Sequence, residues 1–207
     1  MPDSREMGKS RAAKIERKTR EVWIRGRIHL DGSGRGDVQT GIGLLDHMLE
    51  LFAKHGLFDL KIRAKGDLHI DIHHTNEDLG LALGEAFKRA LGDKKGIRRM
   101  GSAFVPMDET LARVRSVVDL SGRPYFRWSG KNLRESNRYP YGLSDAKHFL
   151  ESFANRAEVT LHVDLLKAGE DLHHLLEAVF KALGRSLREA VERDPRVKGV
   201  PSTKGRL

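Results

Sequence analysis

The string Asp71-Ile72-His73-His74-Thr75-Asn76-Glu77 returns as Asp171-Leu172-His173-His174-Leu175-Leu176-Glu177, an offset of one hundred positions. Packing alone has no reason to demand the same D-x-H-H-x-x-E string twice, so the chain reads as an internal duplication. Neighbouring residues agree. At the same offset Ala82, Leu83, Gly84 and Ala90 meet identical residues. At an offset of 101, the run from His47 to Ala53 (HMLELFA) meets the run from His148 to Ala154 (HFLESFA).

The duplication also sorts the chemistry. Each half supplies one single histidine, His47 or His148, and one H-H-x-x-E. Eight candidate metal ligands result: His47, His73, His74, Glu77, His148, His173, His174 and Glu177. Imidazole nitrogen with carboxylate oxygen suits Mn, Fe, Co, Ni or Zn. On a helix, His73 and Glu77 share a face, as do His173 and Glu177. His74 and His174 point about 100° away, so each motif is able to serve two ions. One symmetric sharing gives His47, His74, His173 and Glu177 to one ion, and His148, His174, His73 and Glu77 to the other. There are no cysteines, which leaves His and carboxylate as the side chains for a metal. His29, His69 and His162 sit in strand patterns and read as ordinary surface or core residues.

At 207 residues and 39% hydrophobic content the chain is long enough for a packed core. No apolar run approaches membrane-spanning length, and the basic N-terminus lacks the apolar stretch of a secretory signal. A cytoplasmic location fits. The net charge is +9, which suits nucleic acid, an anionic surface or a small anionic substrate; with the bases spread along the chain and only 6% aromatics, nucleic-acid binding is not expected.

Residues 1–15 read as a disordered extension. Alternation predicts a strand at 19–30, a second at 37–40 and two more at 57–64 and 67–72. Helical periodicity predicts helices at 44–55, ended by Gly56, and from a cap at Thr75 or Asn76 to Leu91. The plan then restarts, with strands at 110–120, 125–128 and 158–167 and helices at 145–155 and 175–191. Residues 131–144 read as irregular. The expected fold is α+β, a two-layer sandwich of two duplicated strand–strand–helix–strand–helix units, residues 16–96 and 97–192, followed by a basic tail at 193–207.

The chain resembles the imidazoleglycerol-phosphate dehydratase family of histidine biosynthesis. The strings that carry the resemblance are Gly43-Leu44-Leu45-Asp46-His47-Met48, Gly66-Asp67-Leu68-His69-Ile70-Asp71 running into His73-His74-Thr75, Pro106-Met107-Asp108-Glu109, Asp119-Leu120-Ser121-Gly122-Arg123-Pro124, Asp171 through Glu177, and Pro201-Ser202-Thr203-Lys204-Gly205. The resemblance implies a fold like ribosomal protein S5 domain 2. It implies a hydro-lyase that removes water from D-erythro-imidazole-glycerol phosphate to give imidazole-acetol phosphate. It also implies two Mn(II) ions per active site and a homo-oligomer of 24 chains with active sites between subunits.

Glu21 matches the family's glutamate near the first strand, and His55, Asp108 and Glu177 are the other candidates for proton transfer. The implied substrate contacts are Glu21, His47 and His73, with Arg99, Arg123, Ser202 and Lys204 for the phosphate, and Gln39 or its surroundings nearby. Each has a plain alternative. Glu21 could lie on an exposed strand face, His55 could serve a helix end, and Arg99 could be a solvated turn residue. Two other readings stay open at this level. A dinuclear metallohydrolase also uses paired ions, although six His among eight donors is unusual for one. An RNA-binding module is the other, because two-layer α+β units with a basic surface do bind RNA.

Overall fold

Each half begins with a strand that the alternation conceals. The computed structural model describes residues 10–108, 110–130, 140–167 and 170–207. In it, β1 (Ala12–Lys18) pairs antiparallel with β2 (Val22–His29), Ile15 opposite Gly26. Ile15 is fully buried, while Lys14, Glu16 and Lys18 face solvent. The expected disorder at 1–15 therefore fails from about Ser10 onward, and residues 1–9 lie outside the described residues. A single apolar anchor among charged residues left little pattern to read.

The counterpart in the second half is β5 (Met100–Met107), which no alternation marked. Its inward residues, Gly101, Ala103 and Val105, are small, whereas Met100 and Phe104 face outward. Small inward residues let helix α4 (Leu172–Val191) lie almost on the strand: a Cβ at Gly101 would stand 2.0 Å from the Ser186 carbonyl oxygen.

The remaining elements follow the expected order. They are β3 (Gly36–Gln39), α1 (Gly43–Gly56), β4 (Asp59–Gly66), α2 (His73–Leu91), β6 (Thr110–Asp119), β7 (Tyr125–Gly130), α3 (Leu143–Ala157) and β8 (Thr160–Lys167). The sheets have orders β1-β2-β4-β3 and β5-β6-β8-β7, so the two halves share one topology. In each, one pair is parallel, β3 with β4 and β7 with β8. Helix α2 packs on β1 and β2, α4 on β5 and β6, and across the halves α1 meets α4 and α2 meets α3. Each unit is two-layered, and the helices of the two units meet. No helix among the described residues is long and apolar enough to cross a membrane.

Glycines set the helix spacing. A Cβ at Gly84 would stand 2.6 Å from the Phe153 carbonyl oxygen, and one at Gly184 2.6 Å from that of Phe52. These two glycines are the equivalent positions of the duplication. Several boundaries differ from expectation; α3, for one, runs two residues further at each end than the expected 145–155. Residues 67–72 form turns, not a strand. Helix α4 starts at Leu172, ahead of the expected 175, and α2 starts at His73, ahead of the expected cap at Thr75 or Asn76. The reason is the aspartate of each repeated string. Asp71 Oδ1 accepts from the His73 N–H at 2.8 Å and Asp171 Oδ1 from the His173 N–H at 2.7 Å. Those bonds satisfy an otherwise orphaned donor at each helix start. The left-handed residue after α1 is Leu57, at φ 53°, and not Gly56.

Candidate metal centre

The cross-half helix pairs bring the repeated donors together. Where α1 meets α4, His47, His173 and Glu177 form one triad; where α2 meets α3, His73, Glu77 and His148 form another. Within each triad the donor atoms lie within 4.8 Å of one another. His47 Nε2 is 3.0 Å from Glu177 Oε1, and His173 Nε2 is 3.1 Å from the same oxygen. Adjacent ligands at about 2.1 Å from one ion are about 3.0 Å apart at a right angle, so this spacing fits a divalent cation. The His47 and His173 rings stack at 5.3 Å, and the His73 and His148 rings at 4.6 Å. In the second triad His148 Nε2 is 4.0 Å from Glu77 Oε1.

His74 and His174 leave their triads, as adjacent helical residues must. The rings of His73 and His74 stand 5.9 Å apart and nearly perpendicular, and those of His173 and His174 6.2 Å. His74 Nδ1 lies 3.0 Å from Asp67 Oδ2 and 3.8 Å from Glu21 Oε2. The bond to Asp67 raises the His74 pKa and lowers that of Asp67. Glu21 sits in the β1–β2 turn, not near the start of a first strand, because β1 precedes it.

A residue the sequence reading passed over is Lys181, one helical turn past Glu177. Its Nζ is 2.6 Å from Glu177 Oε2. Burial works against charge on Glu177, but Lys181 and His47 outweigh it and hold the carboxyl down at about 2. An i, i+4 Glu–Lys spacing was the available signal. His55 lies in the last turn of α1, where burial and then Lys181 lower its pKa and favour the neutral ring. Asp108 occupies an exposed turn at φ 34° and, among the described residues, bonds to neither triad.

The phosphate candidates gather at the C-terminal tail. Arg99, at φ 74°, grips Asp119 through Nε at 2.7 Å and Nη2 at 3.0 Å, and donates from Nη1 to the Pro201 carbonyl at 2.9 Å. The Lys204 N–H donates to Ser202 Oγ, and the Arg123 N–H to Ser121 Oγ. A Cβ on Gly122 would stand 3.0 Å from the Leu207 carbonyl carbon, so the tail end returns beside Arg123. Gln39 is exposed at the end of β3.

A duplicated α+β frame that crosses its helices so as to pair histidines with carboxylates twice defines a class of protein with two candidate metal sites. A sequence model described as imidazoleglycerol-phosphate dehydratase matches residues 40–187. An imidazoleglycerol-phosphate dehydratase of Clostridium botulinum is 53% identical over 203 residues, covering 96% of this chain and all of that protein. One of Geobacillus kaustophilus is 54% identical over 198 residues, with coverage of 96% and 100%. The crystal structure of the Staphylococcus aureus dehydratase superposes with a TM-score of 0.77 at 33% identity, covering 88% of this chain and 99% of that one. The Pyrococcus furiosus enzyme in complex with (S)-C348 gives 0.78 at 36% identity, with coverage of 93% and 99%.

The chain belongs to the imidazoleglycerol-phosphate dehydratase family. Its activity is that of a hydro-lyase in histidine biosynthesis, acting on a small phosphorylated imidazole.

Proposed function

We propose that each triad holds one divalent cation, Mn(II) in the working enzyme, and that the two ions together bind the imidazole of the substrate. The observation that carries this reading is the pair of 3.0 and 3.1 Å donor spacings converging on Glu177 Oε1. His47, His173 and Glu177 would hold one ion, and His73, Glu77 and His148 the other. His74 and His174, which point away from the triads of their own chain, would complete the shells of neighbouring copies and keep the four-donor partition. When bound, the ions supply Lewis acidity and orient the azole ring.

The chain's own residues then handle protons. Dehydration takes a proton from carbon and delivers one to the departing hydroxyl, which needs a group able to do both. Glu21 is the first choice: it is half exposed and within reach of His74, so it borders the donor set. His55, biased to the neutral ring, is the second. Asp108 and Glu177 rank lower, the first because among the described residues it bonds to neither triad and the second because it is committed to His47, His173 and Lys181. Arg123, Ser202 and Lys204 hold the phosphate, and Arg99 anchors the tail that presents them.

The assembly belongs to the same proposal: a homo-oligomer, 24 chains by the resemblance, with sites between subunits. The outer face of the second sheet supports it. Met100, Phe104, Val117, Tyr125 and Leu166 are all exposed there, more apolar surface than an isolated sheet face carries comfortably. A cytoplasmic location is in keeping with a biosynthetic step. Elemental analysis of purified protein, with its mass in solution before and after a chelator, tests metal and assembly together. Two divalent ions per chain and a loss of mass on chelation are expected; metal-free protein with full turnover would overturn the reading. Deleting residues 201–207 is expected to raise KM by at least about tenfold with a smaller change in kcat.

A further inference from the structure

Two carboxylates face the same nitrogen of His74. Asp67 Oδ2 is 3.0 Å from Nδ1 and Glu21 Oε2 is 3.8 Å away. The Asp67 side chain is 11% exposed and that of Glu21 53%. The nearer, drier carboxylate takes the bond, since water competes least for it. Asp67 is itself fixed. It follows β4 directly, and the preceding Gly66 lies so close beneath α2 that a Cβ there would stand 1.9 Å from Thr75 Oγ1. Among the described residues the other Asp67 oxygen, Oδ1, is buried with no hydrogen-bond partner. A buried carboxylate oxygen left unsatisfied carries a desolvation cost, and such groups call for an explanation outside stability. At the duplication offset the second half carries Lys167, so this carboxylate belongs to the first half alone.

We propose that Asp67 is a positioning residue: it holds the His74 proton on Nδ1, turns Nε2 outward as the metal donor, and keeps this imidazole off Glu21. A neutral imidazole has one N–H and one lone pair, so fixing the proton at Nδ1 fixes the donor atom at Nε2. A carboxylate behind a ligating histidine also sets the ring's orientation. With Asp67 removed, the carboxylate left facing Nδ1 is that of Glu21, 3.8 Å away and 53% exposed, where water competes for the N–H and the proton is no longer held. The donor half of this inference rests on the metal reading above; the tautomer half does not.

The test compares Asp67→Ala and Asp67→Asn with the parent full-length chain. Manganese(II) binding by chelator competition is expected to show one ion weakened about 10- to 100-fold in Asp67→Ala and the other unchanged. Asp67→Asn, whose amide oxygen still accepts the bond, is expected to lose less. In metal-free protein carrying ¹⁵N-labelled histidine, at alkaline pH, the parent's His74 is expected in the Nδ1–H form and the alanine variant's largely in the Nε2–H form. At saturating manganese, kcat is expected to fall at least about tenfold with KM moved less than about threefold. Unchanged affinity for both ions, or an unchanged tautomer, overturns the proposal. If the alanine variant does not fold, the asparagine variant decides on the same two readouts. A parent that binds no manganese would sink the metal reading by itself, and the tautomer measurement would still decide the role of Asp67.

Discussion

The His47–His173–Glu177 triad and the His73–Glu77–His148 triad come from equivalent positions, yet their carboxylates live differently. Glu177 is 12% exposed in its side chain, with Oε1 toward two imidazoles and Oε2 on Lys181. Glu77 is 43% exposed and stands 4.0 Å from its histidine. Position 81, where Lys181 has its counterpart, holds leucine. Repetition has kept the donors and the helix contacts that aim them, but not the surroundings. The first triad is organised around a carboxylate whose second oxygen is already paired, which leaves Oε1 for a ligand role. Among the described residues the second has no such prop. The outer sheet faces diverge in the same way. The first carries Lys14, Lys18, Arg25, Arg27, Lys61, Arg63 and Lys65 around a single exposed Trp23, and the second carries the apolar set of Met100, Phe104, Val117, Tyr125 and Leu166. The donors and the helix contacts repeat; the outer sheet faces do not.

Removing each carboxylate breaks the comparison most directly. Glu177→Ala and Glu77→Ala are each expected to cut kcat/KM by at least about 100-fold. Metal analysis should show one ion lost in each variant and the other retained. Loss of both ions in either variant would show that the triads are not separate sites.

Lys181 sharpens the contrast. The Glu177 carboxyl is held at about 2 against an ordinary 4.5. A carboxyl with a depressed folded pKa contributes stability above its unfolded pKa, and that contribution is lost as pH falls through the folded value. For metal-free protein the window is therefore about pH 4.5 down to 2, with an upper bound of about 3 kcal/mol. Lys181→Met should lower stability at neutral pH by about 2 kcal/mol and flatten the acid slope in that window. Denaturant unfolding at a series of pH values measures both. Leu81→Met, at the counterpart position, should leave the slope where it was.

The site was more legible than the frame that holds it. A repeated D-x-H-H-x-x-E string carries its own spacing rule, so both triads' members could be named and the departure of His74 and His174 foreseen. The strands β1 and β5 were hidden because their inward residues are one isoleucine among charges and a Gly-Ala-Val series under a close helix. The symmetric sharing of donors could be written down, but the contacts that bring them together, α1 crossing α4 and α2 crossing α3, could not. The glycines that allow that approach, Gly84 and Gly184, were visible as matching positions of the duplication, but not as helix contacts. Lys181 was hidden because it is no metal donor: its part is to hold the Glu177 carboxylate charged from one helical turn away.

The smallest expected effect tests the part of the comparison where the halves should agree. Asp71 and Asp171 make the same bond to the third residue of their strings, at 2.8 and 2.7 Å. Each replaces one orphaned helix donor's lost partner, a contribution of about 1 kcal/mol. Asp71→Ala and Asp171→Ala should therefore destabilise the metal-free chain by about equal amounts in denaturant unfolding. Cap loss also loosens the first turn, which carries His73 or His173, so metal affinity should drop a fewfold at the triad concerned. Asparagine at either position keeps an oxygen acceptor and should recover most of the stability. Two unequal losses would mean that one helix start is held mainly by something else. For α2 the candidates are the Asp67–His74 bond and the Asn76 amide, which donates to the Asp145 carbonyl at 2.9 Å.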